Sequence, residues 1–335
     1  MAVERKVLVV GGAGYIGSHV CKALAQDGWV PVVYDNLSNS RSWSVRWGPL
    51  EIGDIRDKDR LDAVLARHRP QGIMHFAGRI EVGESVQAPF DFYDVNVHGT
   101  LTLLDAATRA GIEALIFSST AAAYGILETV PAPESHSCEP INPYGRSKLM
   151  AERMIADMGV ATGMKWTNLR YFNASGADPD GEIGEAHRHE THLIPLAIEA
   201  ALGRRPSFAV FGHDHPTPDG SCIRDFIHVL DLAEAHVLAL KRLLDGGPSA
   251  TFNLGSGAGA SVLDVLKCLG DVAGLAVPTH WADPRIGDPP ALVGDPSQAM
   301  AALSWAPRRS DLASIIGDAW SWHTSAFFTH SAFTG

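Results

Sequence analysis

Cysteine is scarce in this 335-residue chain, which contains only Cys21, Cys138, Cys222 and Cys268, far apart in the sequence. This spacing offers neither the paired cysteines of a zinc site nor the dense framework of a disulfide-stabilised secreted protein. We therefore expect four reduced thiols. The chain enters an apolar run within its first ten residues, without a secretory signal, so we expect a cytoplasmic protein.

Positive charge is also in short supply. Lys and Arg number 27 against 38 Asp and Glu, which gives a formal net charge of −11 at pH 7. A nucleic-acid-binding protein needs a basic face to neutralise phosphates, so this class is excluded. An anionic small molecule would instead require a few Arg or Lys concentrated locally. No apolar run approaches the ~18–20 residues of a membrane span, so we expect no membrane partner.

The remaining composition indicates a folded globule, with 46% hydrophobic residues and mixed charges. In the first half, short β-branched runs alternate with helical stretches, which predicts an α/β fold with a doubly wound parallel sheet. Strand-like runs lie at 72–78, 114–120 and 167–172, and residues 97–110 have helical spacing.

The amino-acid composition changes at residues 177–192, which are rich in Gly, Asp, Glu and His and poor in strand-forming residues. We place a domain transition there. Residues 1–176 are predicted to form the sheet domain, and residues 177–335 a smaller mixed α/β domain. Residues 226–244 regain a strand–helix character, so we expect them to pack back onto the first domain.

The most informative segment is GGAGYIGSH, residues 11–19, which follows the apolar run 7–10 and leads into a helical stretch. Gly11, Gly14 and Gly17 fall on the turn and at the helix entrance. A Cβ there would block the backbone from approaching a pyrophosphate. In this strand–turn–helix context, the motif predicts a dinucleotide-binding Rossmann domain.

An acidic residue closes the next strand-like run. Asp35 lies 18 residues beyond Gly17, where a carboxylate would hold the adenosine ribose hydroxyls of NAD. It would repel the 2′-phosphate of NADP, and residues 36–38 add no positive charge. An ordinary surface aspartate is the alternative, but the glycines and the acid together favour NAD.

Tyr144 and Lys148 are four residues apart at the start of a helical stretch, which puts both side chains on one face. A free phenol has a pKa of ~10 and is a poor base at neutral pH. The neighbouring ammonium and the positive nicotinamide ring of NAD would favour the phenolate, which could then take a hydroxyl proton as hydride leaves the adjacent carbon. Thr120, at the carboxyl end of a strand, is predicted to relay a proton to the same oxygen.

In these motifs the chain resembles the nucleotide-sugar epimerases of the extended short-chain dehydrogenase/reductase family. The resemblance runs from Gly11 to about Asp288, through segments that include GDIRD, PYGRSKLMAE, LRYFNASGA, HLIP, GSCIRDFIHVLDLA and PRIGD. It implies reversible C4 epimerisation of UDP-glucose and UDP-galactose through a 4-keto sugar, with tightly bound NAD as the hydride store. It also implies that Tyr144 acts as base and then acid, and that Lys148 lowers its pKa and holds the ribose.

Two alanines separate this reaction from a related one. The sugar-nucleotide 4,6-dehydratases resemble this family but carry an Asp-Glu pair directly after the hydroxyl residue, to eliminate water. Here Ala121 and Ala122 follow Thr120. Elimination therefore has no evident catalyst, and reversible oxidation and reduction are favoured.

The resemblance assigns the contacts to NAD. Tyr15 and Ile16 would meet the pyrophosphate through their backbone. Some members carry Lys two residues after Gly78, where this chain has Ile80, so that one contact is in doubt. The implied contacts to adenine are Asp54 and Ile55, and those to the nicotinamide half are Phe76, Ala77 and Gly78. The other implied NAD contacts are Gly11, Gly14, Tyr15, Ile16, Gly17, Asp35, Asn36, Leu37, Ser38, Asn39, Ser40, Tyr144, Lys148 and Phe172.

The resemblance also assigns the contacts to the UDP-sugar. Arg224 and Arg285 match positions that hold the diphosphate and ribose, which would meet the need for local positive charge. His192 stands where some members carry Asn, and a structural role for it remains open. The implied contacts to the uracil are Ala209, Val210 and Phe211. The remaining implied contacts to the UDP-sugar are Thr120, Tyr144, Asn173, Leu193, Asp288 and Leu292.

Leu292 bears on the choice of sugar. In the family a bulky Tyr at this position restricts the site to glucose and galactose, whereas a small residue admits N-acetylated sugars. We therefore expect a preference for UDP-glucose and UDP-galactose, with weak activity on UDP-N-acetylhexosamines. The alternatives are an epimerase of UDP-xylose/UDP-arabinose or UDP-glucuronate, a nucleotide-sugar dehydrogenase and a non-catalytic NAD-bound scaffold. Family members usually form homodimers through helices like 97–110 and 147–158.

Overall fold

The computed structural model of the chain describes residues 4–284 and 289–331. The strands are β1 (Lys6–Val10), β2 (Val30–Asp35), β3 (Leu50–Ile52), β4 (Gly72–His75), β5 (Ala114–Thr120), β6 (Lys165–Tyr171), β7 (Asn173–Ser175), β8 (Phe208–Phe211), β9 (Ile223–His228), β10 (Ala250–Leu254), β11 (Gly259–Ser261), β12 (Thr279–Ala282) and β13 (Ala291–Leu292). The helices are α1 (Tyr15–Gln26), α2 (Lys58–His68), α3 (Val82–Gln87), α4 (Pro89–Tyr93), α5 (Gly99–Arg109), α6 (Pro143–Thr162), α7 (Leu193–Ala201), α8 (Val229–Leu244), α9 (Val262–Ala273), α10 (Ser297–Leu303), α11 (Leu312–Thr324) and α12 (Ala326–Ser331).

A seven-stranded parallel sheet has the order β3-β2-β1-β4-β5-β6-β10. The chain first builds outward from β1 to β3 and then crosses back to place β4 on the other side of β1. The predicted doubly wound parallel sheet is therefore confirmed. At such a reversal, the loops after the two adjacent strands diverge and leave a crevice at the carboxyl edge, where ligands bind in this architecture.

Helices cover both faces of this sheet. Successive residues of a strand point to opposite faces, so Val7 and Val9 pack into the layer that contains α1 and α8, and Leu8 and Val10 into the layer that contains α2, α5 and α6. The four apolar side chains of β1, at residues 7–10, are fully buried. Burial on both faces explains why the strand reads as a continuous apolar run.

A smaller mixed α/β unit is built around β9. This strand pairs in parallel with β7 and β13 and antiparallel with β11, while β8 and β12 form a separate parallel pair. Helices α7, α9 and α11 share its apolar core. Helix α8 and strand β10 belong to the layers of the large sheet. The domain boundaries at 1–176 and 177–335 stay a prediction.

Helix α6 begins earlier than the predicted stretch 147–158. Asn142 caps it by accepting the backbone N–H of Gly145 at 2.8 Å, and Pro143 takes the first helical position. Tyr144 therefore lies in the first turn of the helix. Lys148 lies one turn further, at the same side of the sheet.

The described residues contain neither a membrane-spanning helix nor a disulfide bond. Within residues 4–284 and 289–331, no helix has both the length and the apolar character that crossing a bilayer requires. The longest of the described helices, α6, carries the charged residues Lys148, Glu152 and Arg153. All four cysteines are free thiols.

A buried ion pair fastens α6 to the centre of the large sheet. Glu152 of α6 accepts two hydrogen bonds from one edge of the Arg170 guanidinium on β6, from Nε at 2.9 Å and from Nη2 at 2.5 Å. Ser119 of β5 donates to the same carboxylate. Only 7% of the Arg170 side chain and 6% of the Glu152 side chain are exposed. This contact fixes the helix that carries Tyr144 and Lys148.

Glu152→Ala is expected to lower the free energy of unfolding by about 3–5 kcal/mol, because it leaves the guanidinium of Arg170 charged and buried without a partner. Equilibrium urea unfolding measures this. Asp105→Asn is the control, since it removes only exposed ion pairs with Lys58 and Arg109, and it should leave the unfolding midpoint unchanged. Equal midpoints for both variants would contradict the assigned role of the buried pair.

Candidate active site

The turn after β1 contains glycines that serve two purposes. Gly11 has a φ of +81°, which favours glycine, and a Cβ there would lie 2.5 Å from the backbone nitrogen of Ala77. A Cβ on Gly17 would lie 2.4 Å from the carbonyl oxygen of Gly11. A Cβ on Gly14 would meet only that same oxygen, at 3.3 Å. Gly11 and Gly17 thus allow close packing, while Gly14 keeps the space above the turn open.

Helix α1 presents its N-terminus to this space. Gly14 is its N-cap, and no side chain caps the first turn. The N–H groups of the first turn have no partner within the helix, and the helix dipole adds positive potential at that end. An open glycine cradle beside an uncapped helix N-terminus fits the pyrophosphate of a dinucleotide.

Asp35 lies beside the glycine turn as a buried acceptor, with 8% of the residue exposed. Its carboxylate accepts the backbone N–H of Ala13 at 3.0 Å and of Leu37 at 2.8 Å, and the hydroxyl of Ser40 at 2.8 Å. These contacts differ from those of an ordinary surface aspartate. They fix the carboxylate at the edge of the sheet where β1 and β2 end.

The residues expected at the adenine follow β3. Asn36 donates to the Asp54 carboxylate at 3.0 Å, and the Arg56 guanidinium bound to the same group lowers its pKa. Ile55 is buried, and a Cβ on Gly99 would lie 2.6 Å from its side chain. The ends of β2 and β3 therefore bring the predicted adenosine contacts together.

Tyr144 and Thr120 lie close together at the carboxyl end of β5, where the Thr120 side chain opposes the rise in the pKa of Tyr144. The Thr120 hydroxyl also accepts the backbone N–H of Ala122 at 3.1 Å. A Cβ on Gly145 would lie 2.4 Å from the Ala122 carbonyl oxygen. Glycine at 145 therefore lets the first turn of α6 approach β5 closely enough for the two hydroxyls to meet.

Lys148 lies on the same helix, 2% exposed, and its Nζ donates to the carbonyl oxygen of Ser118 at 2.8 Å. Burial lowers the pKa of Lys148 to about 8, although the nearby Glu152 opposes this. Burial raises the pKa of Tyr144, and the Thr120 side chain only partly offsets this rise. The protein's own groups thus keep the phenol protonated. The positive nicotinamide ring is the remaining charge that would favour the phenolate.

Asn96, which the sequence reasoning missed, connects these parts. It is 2% exposed, and its Oδ1 accepts the backbone N–H of Arg79 at 2.8 Å, while its Nδ2 donates to Ser147 at 2.9 Å. A Cβ on Gly78 would lie 2.9 Å from Asn96 Oδ1 and 3.5 Å from Lys148 Nζ. Asn96 therefore holds the segment 76–79, the expected nicotinamide contact, against α6.

The predicted substrate residues lie mainly on the smaller sheet. Arg224 of β9 and Leu292 of β13 are paired in register, and Arg224 donates to the carbonyl oxygen of Pro289 at 2.9 Å. Asn173 of β7 donates to the carbonyl oxygen of Asp225 at 2.9 Å. Arg285 and Asp288 lie outside the described residues. The expected uracil contacts Ala209, Val210 and Phe211 form β8, and Leu193, the first residue of α7, shares an apolar core with Val210.

Phe172 lies between the two sheets, because it joins β6 to β7. Its backbone N–H donates to the carbonyl oxygen of Leu254, and a Cβ on Gly294 would lie 2.1 Å from its ring. Asn173 follows directly. The predicted cofactor side and the predicted substrate side are thus adjacent along the chain.

His192 is the N-cap residue of α7, and its Nδ1 contacts the buried carboxylate of Glu185. Burial opposes protonation of His192, but the Glu185 and Glu190 carboxylates outweigh it and raise its pKa. The two carboxylates therefore favour the protonated imidazole, and the contact with Glu185 supports a structural role for His192.

Comparisons with known proteins match nearly the whole chain. The family described as "NAD dependent epimerase/dehydratase family" matches residues 7–255. UDP-glucose 4-epimerase from Rhizobium meliloti (strain 1021) is 56% identical over 321 residues, which cover 96% of this chain and 98% of that protein. The crystal structure of UDP-glucose 4-epimerase from Brucella ovis in complex with NAD has a TM-score of 0.92 and 50% identity, covering 94% of this chain and 97% of that one.

A further solved structure adds a second ligand. UDP-glucose 4-epimerase from Bifidobacterium longum, in complex with NAD+ and UDP, has a TM-score of 0.90 and 34% identity, and covers 95% of this chain and 98% of that one. The family match spans the large sheet and continues into the smaller unit. On these findings, the chain belongs to the NAD dependent epimerase/dehydratase family.

Proposed function

We propose that this protein interconverts UDP-glucose and UDP-galactose by reversible inversion at C4, with NAD as a resident cofactor. The convergence of Tyr144, Thr120 and Lys148 beside an uncapped helix N-terminus carries this proposal. The similarity to UDP-glucose 4-epimerases, among them structures in complex with NAD and with UDP, supports it.

The glycine turn and the backbone at the start of α1 would hold the pyrophosphate of NAD. Asp35 would receive the adenosine ribose, Asp54 and Ile55 would flank the adenine, and residues 76–78 would contact the nicotinamide half. The chemistry that bound NAD supplies is the uptake of hydride from C4 of the hexose and its return to the opposite face of the 4-keto sugar.

Tyr144 would move the proton that accompanies each hydride transfer. Its phenolate takes the proton of the C4 hydroxyl during oxidation, and its phenol returns a proton to the same oxygen during reduction. Thr120, which lies beside Tyr144, would bridge to the substrate oxygen. Lys148 supplies a buried positive charge that compensates the phenolate. Ala121 and Ala122 offer no acid or base, so no elimination of water accompanies the cycle.

The smaller unit would bind the UDP moiety. Arg224 supplies positive charge for the diphosphate against the acidic background of the chain, and Asn173 would contact the sugar and the diphosphate. Arg285 and Asp288 keep the diphosphate and ribose roles predicted from the sequence. The strand β8 and Leu193 would flank the uracil and the nucleotide backbone.

Assembly, location and metabolic role are further parts of this proposal. Leu101 on α5 and Met150 on α6 are 49% and 43% exposed, and the two helices pack side by side. Such a surface supports a homodimer of the kind usual in this family. We also propose a cytoplasmic location and a role in galactose metabolism, which follows from the two substrates.

Purified protein supplied with UDP-galactose alone tests the proposed function. We expect UDP-glucose to accumulate until equilibrium without added NAD, as measured by anion-exchange chromatography. A dehydrogenase with exchangeable NAD would stop after one turnover, and a scaffold would not react. UDP-xylose and UDP-glucuronate, assayed in parallel, distinguish the other epimerases.

Tyr144→Phe is expected to reduce kcat by at least ~10², because it removes the acid–base group. NAD content should stay at the wild-type level, since the ring and the helix are retained. Tyr93→Phe, a partly buried tyrosine outside the site, is the matched control and should turn over normally. Near-normal turnover of Tyr144→Phe would remove Tyr144 from the mechanism.

Asp35→Asn is expected to weaken NAD retention by roughly 10–100-fold, since hydrogen bonds to a charged group contribute about 1.5–3 kcal/mol. The readout is NAD released from denatured protein after gel filtration. The KM for UDP-galactose at saturating NAD should change little. Asp59→Asn, on the surface of α2, is the control, and equal NAD contents in the two variants would refute the role of Asp35.

Leu292→Gly is expected to raise the kcat/KM for UDP-N-acetylglucosamine relative to UDP-glucose roughly tenfold, because pocket differences of this size change discrimination by 10-fold or more. Each variant's own UDP-glucose activity serves as the internal reference. An unchanged ratio of the two kcat/KM values would show that Leu292 does not determine the choice of sugar.

A further inference from the structure

Four side chains able to bind a metal converge in the irregular segment between β7 and α7. Glu185, His187, Glu190 and His192 each direct one potential ligand atom inward, and these atoms all lie within 4.8 Å of one another. The proposed reaction uses none of Glu185, His187 and Glu190. Together the four residues are called the His/Glu cluster.

Several separations in this cluster are of the size found between the ligands of a tetrahedral metal ion. His187 Nδ1 lies 3.4 Å from Glu185 Oε1 and 3.3 Å from Glu190 Oε2, and His192 Nδ1 lies 3.6 Å from Glu190 Oε1. Zinc bonds of about 2.0–2.2 Å place tetrahedral ligands roughly 3.3–3.6 Å apart. Ordinary N–H···O hydrogen bonds are about 2.7–3.2 Å long. The His192–Glu185 contact is much shorter than this, so these two side chains would have to move apart when the ion binds.

The side chains of this cluster share their hydrogen bonds, and Glu190 Oε1 also accepts the backbone N–H groups of Thr191 and His192 at 2.8 Å. His187 Nδ1 faces the carboxylates of both Glu185 and Glu190, while Glu185 Oε1 faces both imidazole nitrogens. One ring nitrogen carries one proton, so it cannot donate well to two carboxylates at once. A single cation between the four ligand atoms would satisfy all of them.

The charge and the burial of the cluster also favour a bound cation. The side chains of Glu185, His187 and Glu190 are only 5%, 12% and 13% exposed, whereas that of His192 is 44% exposed. The His187 and His192 rings are in contact, with centroids 5.3 Å apart. One divalent ion between the two rings and the two carboxylates would balance the negative charge of the carboxylates.

A neighbouring acidic cluster differs from the His/Glu cluster in that a lysine binds its carboxylates. Asp178, Asp180 and Glu182 also bring their carboxylates together, but the ammonium of Lys22 lies 2.8–2.9 Å from each of them. A lysine therefore already occupies the position that a cation would take. The His/Glu cluster has no such lysine or arginine among its described contacts.

We propose that the His/Glu cluster binds one divalent transition-metal ion of the zinc type, with Glu185, His187, Glu190 and His192 as ligands. Two imidazole nitrogens and two carboxylate oxygens suit tetrahedral zinc, whereas calcium and magnesium prefer oxygen ligands alone. His192 ligates through Nδ1, which gives this residue a structural role.

The ion would act as a clamp next to the cofactor turn. His187 packs edge-on against Tyr15, the first residue of α1, and the backbone N–H of Arg188 donates to Asn39 at 3.2 Å. The segment 177–192 has no helix or strand of its own. Long segments of this kind are uncommon in compact domains unless they serve a function. One ion would link this segment, the start of α1 and the start of α7.

The test uses the full-length protein without a polyhistidine tag, stripped with EDTA and then titrated with ZnCl₂ in competition with a chromophoric chelator. We expect one equivalent per chain that survives gel filtration, as measured by elemental mass spectrometry. His187→Ala and Glu190→Gln should each weaken zinc binding at least about tenfold, since loss of even an outer-shell partner costs that much.

His189→Ala is the matched control, because His189 is an exposed histidine of the same segment outside the cluster. It should bind zinc as the wild type does. Zinc should raise the Tm of the wild type and of His189→Ala but not that of His187→Ala, because only a folded state that binds the ion is stabilised by it. Absence of stoichiometric zinc in the wild type, or equal affinities of His187→Ala and His189→Ala, would reduce the cluster to ion pairs and overturn the proposal.

Discussion

The close approach of the turns after β1 and β4 determines where the rest of the site lies. Gly11 touches the backbone at Ala77, and Gly78 lies against Asn96 and Lys148. The first contact positions the open cradle at the start of α1, and the second positions α6, which carries the proposed catalytic residues. Since both turns leave the same edge of one parallel sheet, the proposed cofactor site and the proposed acid–base residues are adjacent without any long loop. A Cβ at either glycine would push the two halves apart.

Burial then gives these residues their chemical character. Helix α6 is fixed to the sheet by the Glu152–Arg170 pair, so Tyr144 and Lys148 cannot move outward to water. Desolvation raises the pKa of the phenol and lowers that of the ammonium. The protein alone thus holds Tyr144 neutral, and the positive charge of bound NAD would tip it toward the phenolate. In the proposed reaction, cofactor binding and activation of Tyr144 as the base are therefore linked through this burial.

Local spacing was enough to predict the parallel sheet, the glycine turn and the convergence of Tyr144 with Thr120, because each depends on residues close in sequence or on strand ends. The place of β10 beside β6 depends on pairing between distant segments, which no local pattern reveals. Asn96 lacks a motif, and its role appears only once Arg79 and Ser147 surround it. The spacing of Glu185, His187, Glu190 and His192 was visible, but the composition of that segment indicated only a domain transition. The raised pKa of Tyr144 follows from desolvation, which requires the packed structure.

A resident hydride store is the central claim, and the fate of the hydrogen at C4 tests it most directly. UDP-galactose labelled with deuterium at C4 is converted by the purified protein in ordinary water without added NAD, and the UDP-glucose formed is examined by mass spectrometry and NMR. We predict that the deuterium remains at C4 of the product, because the same hydride leaves and returns within one site. Loss of the label to solvent, or conversion only with added NAD, would contradict the claim.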